Sequence, residues 1–345
     1  MASRLSIAVV IVTFNSARHI DTTLGALEHQ LEESDELLVV DNASRDGTAG
    51  AARGVSRRVR VVEQGANLGF AEGCHVGAAA SSAPLLLFLN PDAVALPGCL
   101  AALRSVAAER PDWGAWQALV TMQGGAAINT AGNVTHFLGM GWAGRCGRPV
   151  ADAPAHAEDV SFASGAALVV RREAWEALGG FESRYFMYGE DLDLCLRLRL
   201  AGWRVGIAPR AQVEHEYEFS KGGRKWYLLE RNRWWTVVGV YPPTLLLLLS
   251  PALLVAELAL LAVAWKGAWL RHKLHAQLSV ARQLPAMLVR RREIQSLRSI
   301  SAGEFAQALS AELDSPHLGP LAQVEPLAWL QRAYWAVALR LLTRS

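Results

Sequence analysis

From Ser6 to Thr13 the chain runs apolar and largely β-branched, then turns polar at Asn15-Ser16. A segment apolar on both faces is what a central strand of a parallel sheet requires. Ile20, Leu24, Leu27 and Leu31 follow at helical spacing, and Leu37 to Val40 forms a second buried run that stops at Asp41. The unit reads β-α-β. Asp46-Gly47-Thr48 then opens a second helix, Val59 to Glu63 is a third strand, Leu68 to Ala80 a third helix and Leu85 to Leu89 a fourth strand. Ligands of open parallel sheets bind beyond the carboxyl ends of the strands. Here those ends carry Thr13-Phe14-Asn15, Asp41-Asn42, Gly65 to Asn67 and Asn90-Pro91-Asp92.

Residues 113–160 are rich in Gly, Ala and Trp with weak periodicity, and short strands and loops are expected there. Ala166 to Val170 restores a strand pattern. A helix is expected from Asp191, with Leu194, Leu198 and Ala201 on one face and Gly202 as its stop. Thr244 to Trp265 is a run of 22 residues whose one charge is Glu257. As a helix it would extend about 33 Å, enough for the hydrocarbon layer of a bilayer. Arg231 and Arg233 precede it while Lys266, Arg271 and Lys273 follow it, so both flanks look cytoplasmic and a single crossing satisfies only one of them. Pro242-Pro243, Ser250-Pro251 and Glu257 also disfavour a straight crossing helix. A broken re-entrant or monotopic segment is therefore expected. Arg290-Arg291-Arg292 and the amphipathic stretch Leu327 to Leu342 suit a membrane interface, as do Trp226, Trp234 and Trp235, whose faces could also stack on sugars.

At 345 residues, with 52% apolar and 19% charged positions, the chain is neither disordered nor a small disulfide-stapled module. The net charge of +2 hides an asymmetry: residues 266–345 carry 11 Lys and Arg against 5 Asp and Glu, whereas residues 1–265 carry 23 against 27. The basic tail comes with no stacking surface or nucleic-acid-binding motif, so membrane lipid is the expected partner and nucleic acid is not. Cys74, Cys99, Cys146 and Cys195 form no C-x-x-C pair, which indicates neither a zinc site nor a redox motif. The run from Ile7 to Val12 is too short for a signal-peptide core, and a reducing cytoplasmic setting is expected.

Asp41, Asp92, Glu190 and Asp191 each stand where a buried run meets a loop. Several acids around one cleft require a cation or shared protons. Oxygen donors suit Mg²⁺ or Mn²⁺, and the imidazole of His215 tilts the choice towards Mn²⁺.

Taken together, Ile11 to Asn15, Val39 to Thr48, Asn67 to Gly73 and Leu89 to Ala93 resemble the inverting GT-A glycosyltransferases of family 2, nearest to their bacterial rhamnosyltransferase branch. The likeness continues through Ser164-Gly165, Arg171, Gly179-Gly180-Phe181, Tyr188 to Leu194, Gly202-Trp203, His215 and Arg231-Asn232, so it covers residues 5 to about 235. It implies an α/β fold: a GT-A, Rossmann-like nucleotide-binding domain with a C-terminal membrane-associated helical region. By this resemblance Thr13, Phe14 and Asn15 line the nucleotide pocket, Asp41 holds the base or ribose, Asn67 and Gly69 shape the wall, and Asn90 and Arg171 bind the nucleotide sugar. Asp92 and His215 would hold the metal. Asp191 would be the general base, Glu190 would orient the acceptor or the backbone, and Lys221 or Arg224 would assist the departing diphosphate or stand as solvated loop charges. The family's usual Asp-x-Asp is here Asn90-Pro91-Asp92, which leaves one carboxylate instead of two.

The expected organisation is a catalytic domain over 1–235, a hydrophobic membrane-inserted helix or re-entrant hairpin over 236–265 and a basic amphipathic helical tail over 266–345. The expected reaction is inverting, metal-dependent transfer of a sugar, rhamnose from dTDP-rhamnose first, to a lipid-linked or growing cell-envelope glycan. Its setting would be the cytoplasmic face of a bacterial inner membrane. The alternatives are galactofuranosyl or other hexosyl transfer, and an inactive membrane-anchored nucleotide-binding protein. A sugar nucleotidyltransferase is disfavoured, because Thr13-Phe14-Asn15-Ser16 is not a Gly-rich phosphate loop carrying Arg and Lys.

Overall fold

The computed structural model describes residues 5–216, 222–313 and 325–343. The chain divides into two compact units. One comprises Met1–Asn133, Ala143–Met187 and Trp203–Tyr217, the other Val134–Trp142, Tyr188–Gly202 and Glu218–Ser345.

The alternation read from the sequence is present as β1 (Ile7–Thr13), α1 (Ile20–Glu28), β2 (Glu36–Asp41), α2 (Thr48–Val55), β3 (Val59–Glu63), α3 (Phe70–Ala79) and β4 (Leu85–Leu89). The chain continues through β5 (Ala93–Ala95), α4 (Cys99–Glu109), β6 (Trp113–Met122), β7 (Ala127–Thr130), β8 (Asn133–His136), β9 (Gly141–Ala143) and β10 (Glu158–Asp159). Then come β11 (Ala167–Arg171), α5 (Arg172–Leu178), α6 (Glu190–Leu200) and β12 (Arg204–His215). In the first unit ten strands make one sheet, in the order β10-β12-β6-β11-β4-β1-β2-β3, with β5 added to β12 and β7 to β6.

β1 runs parallel between β2 and β4, with Ile11 opposite both Val39 and Leu89. Ile7, Val9 and Ile11 share one buried cluster with Leu24 and Leu27 of α1 and Leu100 and Leu103 of α4. Against the other face α3 comes in close because it carries glycines. A Cβ at Gly73 would stand 2.6 Å from Cγ1 of Val12, and one at Gly77 would stand 2.2 Å from Cγ1 of Val10.

The sheet is mixed, because β11 is antiparallel to both β4 and β6. A strand buried on both faces reads the same in either direction, so the apolar run alone could not reveal this reversal. The weakly periodic region also holds a ten-residue central strand, β6, buried along nearly its whole length. Its alternation is blurred by shape matching: the Trp113 ring lies where any Cβ on Gly206 of β12 would fall, 2.0 Å away.

The second unit contains α6 and the helices α7 (Gly222–Val240), α8 (Pro243–Lys266), α9 (Leu270–Ser296), α10 (Ala302–Ala306) and α11 (Glu325–Leu342). β13 (Leu309–Ser310) completes a small sheet in the order β13-β8-β9. Asp193 of α6 is fully buried and accepts hydrogen bonds from Nε of Arg197 at 2.7 Å and Nη2 of Arg290 at 2.6 Å. Burial pushes this carboxyl's pKa up, but the Arg290 and Arg197 charges outweigh it and hold it at about 2. Trp235 is buried and donates to Oε1 of Gln283 at 3.0 Å, and Trp226 stacks on Trp269. Packing within the unit therefore takes up Trp235, whereas Trp226 stays partly exposed.

α8 is one continuous helix with Pro251 inside it. The Ser250-Pro251 break expected from the sequence does not occur. Proline removes the N–H that would have bonded the carbonyl of Leu247, and the Ser250 hydroxyl donates to that carbonyl instead, at 2.8 Å.

Candidate active site

The loops after β1 and β2 are bound to each other by their polar residues. Thr13 stands opposite Asp41 in the parallel register, and its hydroxyl donates to Oδ1 of Asp41 at 2.8 Å. The Ser44 hydroxyl donates to the same oxygen at 2.6 Å, and the Ser44 N–H to Oδ2 at 3.0 Å. Asn15 lies in the left-handed region at φ +54°; its N–H donates to the Ser44 hydroxyl and its side-chain oxygen accepts from the N–H of Arg45. The N–H of Ser16 donates to the Thr48 hydroxyl and that of Ala17 to Asp46. The Thr48 hydroxyl, with the N–H groups of Ala17 and Thr48, holds the Asp46 carboxyl below its ordinary pKa. Phe14, at the tip of β1, leaves half of its surface exposed.

At the start of α3 the Asn67 side chain accepts from the N–H of Gly69 at 3.0 Å. Gly69 has φ +88°, and a Cβ there would lie 2.5 Å from the carbonyl oxygen of Phe186, which accepts from the N–H of Phe70. Only glycine permits both that dihedral angle and that approach. Asn42 ties this corner to β2: its amide donates to the carbonyl of Gly69 at 3.0 Å. Its buried Oδ1 has no hydrogen-bond partner among the described residues.

Beyond β4, the antiparallel pairing of β5 with β12 sets His215 opposite Ala93. This places Nε2 of His215 3.1 Å from Oδ1 of Asp92 and 3.4 Å from the side-chain nitrogen of Asn90. The imidazole is buried while Asp92 is partly exposed, and Asn129 fixes the strand end by donating to the carbonyl of His215 at 3.0 Å. With β1 between β2 and β4, the strand ends bearing Asp41 and Asn90 lie roughly 10 Å apart. Thr13, Phe14, Asn15, Asp41, Asn67, Gly69, Asn90, Asp92 and His215 thus gather along one edge of the sheet.

Among the described residues no three His, Cys, Asp or Glu side chains converge as a metal cluster. The Asp92–His215 pair nevertheless fits a divalent cation. Adjacent ligand atoms on an octahedral centre with bonds near 2.1 Å lie about 3.0 Å apart, and Mg²⁺-type ions commonly take one or two protein ligands plus substrate phosphate oxygens. The observed separation is 3.1 Å.

Arg171 is not part of this edge. It pairs with Leu85 at the opposite end of β4, and its guanidinium donates to the carbonyls of Trp113, Ala107 and Arg110. The antiparallel direction of β11 carries it there, and its contacts are those of a residue that secures the base of the sheet. Lys221 lies outside the described residues, and Arg224 is exposed on α7.

In the second unit, Glu190 and Asp191 open α6 after Gly189 in the left-handed region at φ +85°. The Asp191 carboxylate accepts from the N–H of Leu192 at 2.8 Å. Glu190 is buried, and its Oε2 has no hydrogen-bond partner among the described residues. Burial first, then the neighbouring Asp191 and Asp193 charges, push its pKa up to about 8. Asn232 of α7 donates to the carbonyl of Tyr188 at 2.7 Å, just before this helix.

Three contributors went unassigned in the sequence reading. Asn42 and Asn129 act on backbone carbonyls; Asn42, just after β2, looks like any turn residue, and Asn129 lies inside the four-residue strand β7, too short to leave a periodic signal. Phe186 acts through its carbonyl, for which only its partner Gly69 gives a sequence signal.

The family described as glycosyltransferase like family 2 matches residues 4–236. The chain belongs to this family. Among curated relatives, this glycosyltransferase is 33% identical over 237 residues to N-acetylglucosaminyl-diphospho-decaprenol L-rhamnosyltransferase of Mycobacterium tuberculosis (strain ATCC 25618 / H37Rv), covering 62% of this chain and 77% of that protein. It is 38% identical over 81 residues to rhamnosyltransferase WbbL of Escherichia coli (strain K12), covering 22% of this chain and 30% of the other. Among solved structures it is similar to GalNAc-T7 with UDP, GalNAc and Mn²⁺, with a TM-score of 0.56, 14% identity and coverage of 70% of this chain and 49% of that one. It is also similar to S. aureus TarS 1–349 in complex with UDP, with a TM-score of 0.52, 15% identity and coverage of 99% and 91%. The glycosyltransferase has the GT-A fold and a rhamnosyltransferase-like sequence.

Proposed function

We propose that the glycosyltransferase moves L-rhamnose from dTDP-rhamnose to a polyprenyl-diphosphate-linked glycan at the cytoplasmic face of a bacterial membrane, with inversion at the anomeric carbon. The observation that carries the catalytic reading is the pairing of Asp92 with His215 on the edge where Thr13 and Asp41 are bonded. The 33% identity to a decaprenyl-linked rhamnosyltransferase supports the donor and acceptor classes, and the apolar helix α8 supports membrane association.

In this reading the loops after β1 and β2 hold the nucleotide, with Asp41 already oriented by Thr13 and Ser44 and Phe14 offering an exposed aromatic face. Asn90, Asp92 and His215 face the diphosphate. A divalent cation bound by Asp92 and His215 would neutralise charge on the departing diphosphate. The acceptor hydroxyl oxygen bonds to the anomeric carbon as the bond from that carbon to the diphosphate oxygen breaks, and the bonding pair leaves with the nucleotide diphosphate. The hydroxyl proton passes to Asp191, because an alcohol is a poor nucleophile until a carboxylate takes its proton. Glu190, protonated at neutral pH, donates a hydrogen bond that orients the acceptor and leaves the local negative charge to Asp191.

The test is nucleotide release from a panel of nucleotide sugars in the presence of a polyprenyl-diphosphate-linked N-acetylglucosamine. Release of dTDP from dTDP-rhamnose, dependent on that acceptor, is expected. Turnover of UDP-sugars with none of dTDP-rhamnose would refute the donor.

A further inference from the structure

α8 reverses the usual arrangement of a surface helix. Its buried positions, Leu245, Leu249 and Leu253, form a stripe towards the protein, while Leu247, Leu254, Val255, Leu258 and Trp265, exposed by 62% or more, form an apolar stripe on the outside. Soluble surfaces do not present such a continuous apolar face without a partner. By length and composition the helix could cross a membrane, but its charged contacts rule against crossing. Glu257 lies near the midpoint of α8, where it pairs with Arg233 of α7 and with Nζ of Lys273 of α9 at 3.0 Å, and accepts from Gln277 at 2.9 Å. Lys273 is fully buried and also pairs with Glu230. This network sets two charged helices alongside the middle of α8. A crossing pose would carry the exposed Arg271, His275 and Arg282 of α9 into hydrocarbon with them, which bilayers strongly disfavour.

The geometry points to an in-plane docking surface: the outer stripe of α8 sinks into one leaflet of a bilayer with anionic headgroups, and the helix does not cross. Charge complementarity names the occupant. Lys266, Arg271, Arg282, Arg292 and Arg340 are all exposed on α8, α9 and α11, and cations flanking an apolar helical face are the signature of helices lying in anionic interfaces. α11 is tied to α8, its Tyr334 hydroxyl bonding the carbonyl of Leu248, and it exposes Trp329, an aromatic suited to headgroup depth. The Glu257 network keeps the inner flank of α8 on the protein while the outer flank meets lipid.

The full chain tests this without any substrate. Flotation with phosphatidylglycerol–phosphatidylcholine vesicles should show binding that weakens with salt and is stronger than to phosphatidylcholine alone. Replacing exposed Leu254→Ser and Leu258→Ser together should lower partitioning about tenfold or more with no change in the urea midpoint. Topology is read by placing Thr244→Cys and Lys266→Cys, one at each end of α8, in a Cys146→Ser background, since the other cysteines are buried. Labelling of both ends by an impermeant maleimide added outside sealed vesicles supports in-plane docking. Protection of one end until detergent is added would overturn it, as would absence of vesicle binding together with dimerisation abolished by the leucine changes, which would make a second copy the occupant.

Discussion

Replacing Glu190 by glutamine isolates a single buried proton. In the native structure the Glu190 carboxyl has a pKa of about 8, raised by burial and then by Asp191 and Asp193, whereas an unfolded glutamate titrates near 4.3. The native state therefore binds the extra proton, and stability, full below the unfolded pKa, declines with rising pH until the native pKa is passed. With a pKa of about 8, the native group is roughly 90% protonated at pH 7 and roughly 10% at pH 9, and integration over that interval gives a loss of about 1.4 kcal/mol. Glu190→Gln mimics the protonated form at every pH. Its urea-unfolding free energy should fall by about 1.4 kcal/mol less than that of the native protein between pH 7 and 9. If the proton on Glu190 also orients the acceptor, kcat of the native enzyme declines about tenfold over the same interval, while the glutamine variant shows no such limb. Two parallel stability profiles would refute the argument from burial. Parallel kcat profiles would refute only the role of the proton in orienting the acceptor.

Asp191→Asn should lower kcat by roughly 100- to 10,000-fold, the range for a lost general base, while nucleotide binding by calorimetry stays within a factor of two or so. Asp92→Ala should raise the Mn²⁺ concentration giving half-maximal turnover by at least about tenfold, and a kinetic titration of the metal checks it. Gly77→Ala places a methyl group against Val10 and should cost about 1–3 kcal/mol, read as a lower urea midpoint. Asp193→Asn should be harsher, about 3–5 kcal/mol, because it removes the buried carboxylate charge that two buried guanidinium groups share; wild-type stability in urea would contradict the ion-pair reading.

The parallel half of the sheet was legible because β1, β2 and β4 are apolar on both faces and end in polar loops, and the Thr13–Asp41 contact follows once those strands pair in parallel. Strand direction was not legible, and that is why Arg171, sound as part of a motif, stands at the wrong end of the sheet for a ligand contact. The Asp92–His215 approach depends on a three-residue strand, β5, pairing antiparallel with β12, and a segment that short leaves no periodic signal. β6 escaped notice because tryptophan, glycine and alanine alternate there to suit shape, not polarity. Pro251 looked like a helix breaker because a sequence pattern cannot show that the preceding serine turns its hydroxyl onto the orphaned carbonyl.

The ion pair from Asp193 to Arg290 has a practical consequence for anyone wishing to shorten this enzyme. The family match ends at residue 236, which invites trimming there to obtain a detergent-independent fragment. Such a cut discards the guanidinium that helps neutralise a carboxylate three residues from Glu190, along with the helix α9 that carries it. Solubility is better sought by exchanging leucines on the outer stripe of the long apolar helix, leaving the polypeptide at full length.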